Sequence, residues 1–182
     1  MSVGGYPQDV MENAFDYGHG PHVHRIHVEQ VEDKMLGPVH DVRLLLRSSV
    51  IGRLPPLPMH VTHYGLGLFR TEVDLPALRV SVLIWICAVP TAGARMTLRT
   101  AITTTIGNHD SPVRRAAAHL VSLAAMPLFF MALSQDAGIW NHHRLVSPPR
   151  LAQGDGPIGP FRRWAEQFYP TQPETAPVED RS

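Results

Sequence analysis

The clearest periodic signal in the chain lies between Leu78 and Ile106. Leu78, Val80, Val82, Ile84 and Ile86 alternate with Arg79, Ser81, Leu83, Trp85 and Cys87; beyond Pro90-Thr91-Ala92-Gly93, Met96, Leu98, Ile102 and Ile106 alternate with Thr97, Arg99, Thr103 and Thr105. Period two on both sides of a turn-forming tetrapeptide predicts an antiparallel hairpin with one apolar face. Further back, Val39–Ser48 reads as a strand and residues 54–58 as a proline-rich connection that stays outside any sheet. Residues 60–69 read as one more strand, bent or opened to a ligand at Gly65 and Gly67. Residues 1–5 predict a frayed end. Residues 7–17 predict a short helix with Pro7 in its first turn, stopped by Gly18, Gly20 and Pro21.

After the hairpin, Ser111 and Pro112 supply an N-cap and a first-turn proline, and the apolar run 113–133 follows as a long helix with a kink or break at Pro127. Its centre, residues 116–133, is interrupted only by His119 and Ser122 and only just reaches a membrane-spanning length. Pro127 would break the ladder in its middle, so a buried core helix is expected and a membrane is not. Beyond Trp140 the chain reads as loop through Asp155-Gly156-Pro157. Phe161, Trp164 and Phe168 then recur at helical spacing beside Arg162 and Arg163, as a short docking helix whose aromatics serve the core. Residues 171–182, with three acids and two prolines, predict a disordered tail. Strands followed by a long helix give an α+β class, a helix laid on a curved antiparallel sheet, in one domain over residues 1–170.

Composition narrows the functions. The 182 residues are 44% hydrophobic and 18% charged, which excludes a disordered chain, a coiled coil and a polybasic arm. Sixteen cationic residues balance sixteen acidic ones, so no global field draws in nucleic acid or anionic lipid. Cys87 stands alone, so this chain by itself cannot build a disulfide framework, a four-cysteine zinc site or an iron–sulfur cluster. It reads as a small buried hydrophobe. With no charged start, short apolar core and cleavage site at residue 1, a cytoplasmic address is expected.

Candidate chemistry lies in the histidines. There are eleven, and His19, His22, His24 and His27 fall within nine positions. Asn13, Asp16 and His19 are spaced i, i+3, i+6, which a helix would gather on one face. His19 and His24 are five apart and would diverge on a continuous α-helix, but Gly20-Pro21 lets the chain turn and bring them together. Two imidazoles and a carboxylate suit iron(II) with open positions, and Asp136, after the apolar run 128–133, is a buried acid in need of a metal or a hydrogen-bond partner. Histidines idling on a solvated loop, and an aspartate facing water at a helix end, are the plainer alternatives. His22 and His27 flank the site or face solvent, His142 and His143 belong to a surface loop, and His60 and His63 lie on opposite strand faces.

Glu12 to His24 resembles the N-x-x-D-x-x-H-x4-H motif in the catalytic domain of Rieske non-haem iron oxygenases. Residues 135–142, Gly154-Asp155-Gly156-Pro157-Ile158 and Arg162-Arg163-Trp164 resemble the C-terminal region of the branch containing 3-ketosteroid 9α-hydroxylase oxygenase components and cholesterol 7-desaturases. The resemblance covers residues 7–170. It implies a helix-grip fold, with a hydrophobic cavity between sheet and helix, incomplete at its N-terminal side. It implies His19, His24 and Asp136 as ligands of mononuclear Fe(II), Asp16 as the aspartate bridging a ligand histidine to a neighbouring subunit's cluster, and Asn13 beside the iron. It further implies dioxygen and an apolar steroid- or sterol-like or aromatic substrate, and a homotrimeric assembly. A 2Fe–2S cluster is expected on a separate Rieske protein fed by a reductase, since the family's C-x-H and C-x-x-H cluster motifs are absent here.

Three functions follow from these readings: an oxygenase's catalytic portion, a non-catalytic module or inactive paralogue that binds an apolar ligand in the same cavity, and a zinc hydrolase built on His19 and His24, for which no general base stands out. Iron separates the first two; an apolar pocket does not.

Overall fold

The computed structural model describes residues 1–48, 55–107, 111–142, 146, 149–152 and 154–170. The expected tail, residues 171–182, and His143 lie outside them. Seven antiparallel strands form one sheet in the order β1-β7-β6-β5-β4-β3-β2, where β1 is Ser2–Gly4, β2 Ile26–Leu36, β3 Val39–Ser48, β4 Leu57–Tyr64, β5 Leu68–Leu75, β6 Val80–Thr91 and β7 Arg95–Ile106. Helix α1 (Pro7–Glu12), helix α2 (Pro112–Trp140) and helix α3 (Ile158–Ala165) complete the α+β domain. The β6–β7 hairpin has the predicted register, Ile84 opposite Ile102 and Ala88 opposite Leu98, with the turn at Ala92–Ala94.

Several expectations are corrected. The N-terminus is not frayed: Ser2–Gly4 pairs with β7 and buries Val3. Residues 60–69 are not one strand, because Gly65, at a φ of 67°, reverses the chain between β4 and β5. Pro58 is inside the sheet; it pairs with Leu45 of β3 at the start of β4, one residue before the pairing with β5 begins at Met59, so its missing N–H costs no bond on that side. Strand β2, at an edge, has no periodic signal in the sequence. Its Glu29, Glu32, Asp33 and Lys34 obscure the alternation, and charges with a register shift between Gln30 and Glu32 are what an exposed edge carries to avoid pairing with other chains. Cys87 is only partly buried, because its neighbour Ile86 takes the core-facing side of β6.

Helix α2 begins as expected: Ser111 Oγ accepts the N–H of Arg114 at 3.2 Å and Pro112 opens the first turn. It runs unbroken through Pro127, which is exposed, as is Leu123, whose carbonyl would otherwise have bonded the missing N–H. The expected core helix is a surface helix. Ala118, Ser122, Leu133, Asp136, Ala137 and Trp140 form one buried stripe toward the sheet, with Ser122 Oγ donating to Thr104 Oγ1 at 2.9 Å. Leu120, Leu128 and Met131 point outward, and the most apolar 18 residues, of mean hydropathy 1.9, are only 17% buried. Because α2 packs chiefly on β7, the sheet face toward it is half-buried along Met59, Val73, Val82, Ile84 and Ile102, an apolar trough among the described residues.

Helix α3 docks as its aromatic spacing predicts. Phe161 and Trp164 are buried, Trp164 Nε1 donates to the Gly37 carbonyl at 2.8 Å, and Phe168 packs edge-on against Trp164. Arg162 grips the Glu12 carboxylate with two nitrogens, Nε at 2.8 Å, which fixes α3 to the end of α1. Under them lies an aromatic cluster of Phe15, Phe69, Phe161, His40 and His63. The site-bearing segment after α1 therefore leans on the best-packed part of the core.

Candidate metal centre

Helix α1 ends at Glu12, five residues short of the expected end, and the chain continues in turns to Gly18. Phe15 anchors that segment in the aromatic cluster, while Asn13, Asp16 and His19 stay half-buried. Gly20–His24 then forms a π-helical turn closed by the Arg25 N–H donating to the Gly20 carbonyl. This corrects the expected exit from helical geometry. A π turn bonds residue i to i+5, so a spacing that diverges on an α-helix is brought nearly into line. The His19 and His24 rings stand 5.2 Å apart, edge to face. Two features hold the turn: Arg25 ends it in the left-handed region at a φ of 58°, and Gly20 lies so close to the Ile26 carbonyl that a Cβ there would sit 2.6 Å from the oxygen.

The third member comes from far along the chain. Asp136, buried on the last turns of α2, faces both histidines, its Oδ1 being 2.9 Å from His24 Nε2 and 4.0 Å from His19 Nε2. One donor atom from each of His19, His24 and Asp136 lies within 4.8 Å of the others. Asn13 Nδ2 donates to Asp136 Oδ2 at 3.3 Å and orients the carboxylate. Oδ1 is buried, and among the described residues the polar atom at hydrogen-bond distance from it is His24 Nε2. Meanwhile, His19 Nδ1 is bonded to the Asp16 carbonyl and His24 Nδ1 to Gln135 Oε1 at 3.1 Å. With both Nδ1 atoms donating, both Nε2 lone pairs and Asp136 Oδ1 face a common space. Three acceptors aimed at one point call for a cation, and two imidazoles with one carboxylate are a donor set that suits iron(II) with open positions. The Asp136 carboxylate raises the affinity of His24 for a proton above its ordinary value, against the opposing effect of burial.

Asp16 meets His19 but not the cation space. Its Oδ1 accepts the His19 N–H at 3.2 Å, and with Asn13 it lines a cleft of about 260 Å³ whose other walls include Asp9, Glu12, Trp140, Arg150 and Arg162. His22 and His27 are exposed, and His142 lies on the surface, its Nδ1 bonded to the Gly138 carbonyl. His60 and His63 do take opposite faces, His60 pairing outside with Asp41 at 2.7 Å and His63 fully buried. Burial, with His40 alongside, pushes the His63 imidazole down to about 3. Two roles escaped the sequence: His40, buried and bonded to Asp33 Oδ1 at 2.5 Å, and Gln135, adjacent to Asp136. The first carried no spacing signal. The second was legible only as a polar residue next to a candidate ligand.

A family model described as the 3-ketosteroid 9alpha-hydroxylase C-terminal domain matches residues 2–169. The oxygenase component of 3-ketosteroid-9-alpha-monooxygenase from Rhodococcus rhodochrous is 42% identical over 43 residues, covering 24% of this chain and 11% of that protein. Cholesterol 7-desaturase from Caenorhabditis elegans is 41% identical over 39 residues, covering 21% and 9%. Among solved structures, the Pseudomonas putida CBB5 NdmA QL mutant with theobromine superposes with a TM-score of 0.62 at 12% identity, over 92% of this chain and 48% of that one, a likeness of fold. The aligned stretches thus span about a tenth of these curated relatives, and the chain about half of the solved one.

Proposed function

Because the chain belongs to the 3-ketosteroid 9α-hydroxylase C-terminal domain family of Rieske oxygenase catalytic domains, we propose that it is the catalytic portion of a non-haem iron oxygenase that hydroxylates or desaturates an apolar, steroid- or sterol-like substrate. The observation that carries this reading is the convergence of His19 Nε2, His24 Nε2 and the buried Asp136 Oδ1. These three residues would hold a mononuclear iron(II), which when bound supplies the dioxygen chemistry. The protein's own part is to fix those ligands and to bring the substrate and the electrons. Asn13 holds Oδ2 so that Oδ1 stays turned inward, and the Asp16 carbonyl sets the tautomer of His19. The half-buried trough of Met59, Val73, Val82, Ile84 and Ile102 offers apolar area for a flat hydrophobic ligand.

Electrons are to reach the site from a Rieske cluster held outside these 182 residues. The only cysteine, Cys87, is on β6, and a cluster needs several sulfur or imidazole ligands together. Asp16 is the residue we assign to receive those electrons; what supports this is its bond to the His19 N–H and its place in the lining of the polar cleft. The experiment is to assay the iron-loaded chain with NADH and a reductase on a panel of steroids and aromatic compounds, with and without an added Rieske protein. Product is expected only with the Rieske protein. Coupled turnover without it would overturn the proposal, and inactivity in both arms with tight retention of an apolar ligand and no iron would assign the chain to ligand binding instead.

A further inference from the structure

The two histidines of the centre are oriented by different means. His19 Nδ1 is held by the carbonyl of Asp16, three residues away on the same turn, which no side-chain substitution removes. His24 Nδ1 is held by the side chain of Gln135, 111 residues away and immediately before Asp136 on α2. Gln135 and Asp136 are successive residues of one helix, so their side chains diverge by about 100°, and they embrace the His24 ring from its two nitrogens: Oε1 at Nδ1, 3.1 Å, and Oδ1 facing Nε2, 2.9 Å.

We propose that Gln135 is the positioning residue of His24, its amide oxygen accepting the Nδ1 proton so that the Nε2 lone pair is presented to the metal. The inference rests on the assignment of His19, His24 and Asp136 as ligands. The alternative tautomer would put a proton on the coordinating nitrogen and leave Nδ1 seeking a donor. Nothing within the π turn fixes His24 as the Asp16 carbonyl fixes His19, so the last turn of α2 supplies both a ligand and the orientation of the ligand opposite. Partners of this kind around a metal typically change its affinity ten- to a hundredfold when removed. Gln135 is exposed, so the lower end of that range is expected here.

The test uses Co(II) titration of the full chain, followed by its ligand-field absorption, and 15N-edited NMR of the Zn(II)-loaded protein. Gln135→Leu, which keeps the bulk and removes the acceptor, should weaken Co(II) binding about tenfold and lose the protected Nδ1 proton of His24. Gln135→Glu, which restores an acceptor, should recover both. Because the position is exposed, thermal unfolding of the two variants should match wild type. If wild type binds Co(II) and loses it in His24→Ala, but Gln135→Leu keeps full affinity and the protected proton, the role of Gln135 is overturned while the metal centre stands. If wild type binds no Co(II), the ligand assignment itself falls, and this inference with it.

Discussion

Substituting Gly20 by alanine should separate the two histidines without unfolding the sheet. The added Cβ would lie 2.6 Å from the Ile26 carbonyl oxygen, about 0.8 Å short of the 3.4 Å at which ordinary contact begins. Ile26 is fixed by its pairing with Ser48, so it cannot recede without disturbing β2. The other side of the clash is the π turn, whose closing bond runs from Arg25 N–H to the Gly20 carbonyl itself. Relief therefore comes by opening the turn, which carries His24 away from His19 by a distance comparable to the overlap. Overpacking of this kind costs about 1–3 kcal/mol, and if that cost falls on the metal-bound conformation it weakens metal affinity by roughly 5- to 150-fold. Co(II) binding measured by calorimetry, beside urea unfolding of the metal-free chain, reads the two effects separately. Gly138→Ala is the control: nothing lies within 4 Å of a Cβ there, and an exposed helical glycine replaced by alanine should leave binding unchanged and stability equal or slightly higher. Wild-type Co(II) affinity in Gly20→Ala would refute the π turn as the device that brings the histidines together.

Other substitutions test neighbouring parts of the account. Asp16→Asn should retain metal within about threefold, because His19 Nδ1 bonds to the backbone carbonyl of residue 16 and not to its side chain; metal analysis showing an emptied site would move Asp16 among the ligands. His63 titrates at about 3 in the folded chain against an ordinary 6.5, so its contribution is complete above about pH 6.5. Below that the unfolded chain takes up a proton that the folded one refuses, and stability falls by about 1.4 kcal/mol per pH unit down to about pH 3. Urea midpoints between pH 7 and 4 should therefore fall more steeply for wild type than for His63→Phe, and parallel curves would count against this. Leu133→Ala, on the buried stripe of α2, should cost about 2–5 kcal/mol, whereas Leu120→Ala on its open side should stay within about 0.5 kcal/mol; equal losses would mean that the outer face is covered.

What was legible in the sequence divides along physical lines. The β6–β7 hairpin, the Ser111-Pro112 helix start and the aromatic stripe of α3 rest on local period and local caps, and each stands where it was expected. Strand β2 was hidden because an edge strand carries its charges for protection and loses the alternation that reveals strands. The sequence predicts a buried core helix where α2 lies at the surface, because an apolar run reports hydrophobicity and not which neighbours exist to cover it. The ligand set was accessible through spacing and resemblance, including Asp136, although the means of closing His19 on His24 was misread. A five-residue spacing signals either a break or a π turn, and the choice depends on the Ile26 carbonyl beside Gly20, a contact that only the assembled sheet supplies. The partners Asn13 and Gln135 depend likewise on α2 reaching the turn from more than a hundred residues away.

The most direct test of the central claim is metal content. Purified chain reconstituted anaerobically with Fe(II) and freed of excess should retain one iron per chain, and His19→Ala, His24→Ala and Asp136→Ala should each lose it while keeping wild-type circular dichroism. Removing any of the three leaves two donors where the geometry offers three within 4.8 Å. Stoichiometric iron surviving all three substitutions, or no iron in the folded wild type, would contradict the assignment of this centre.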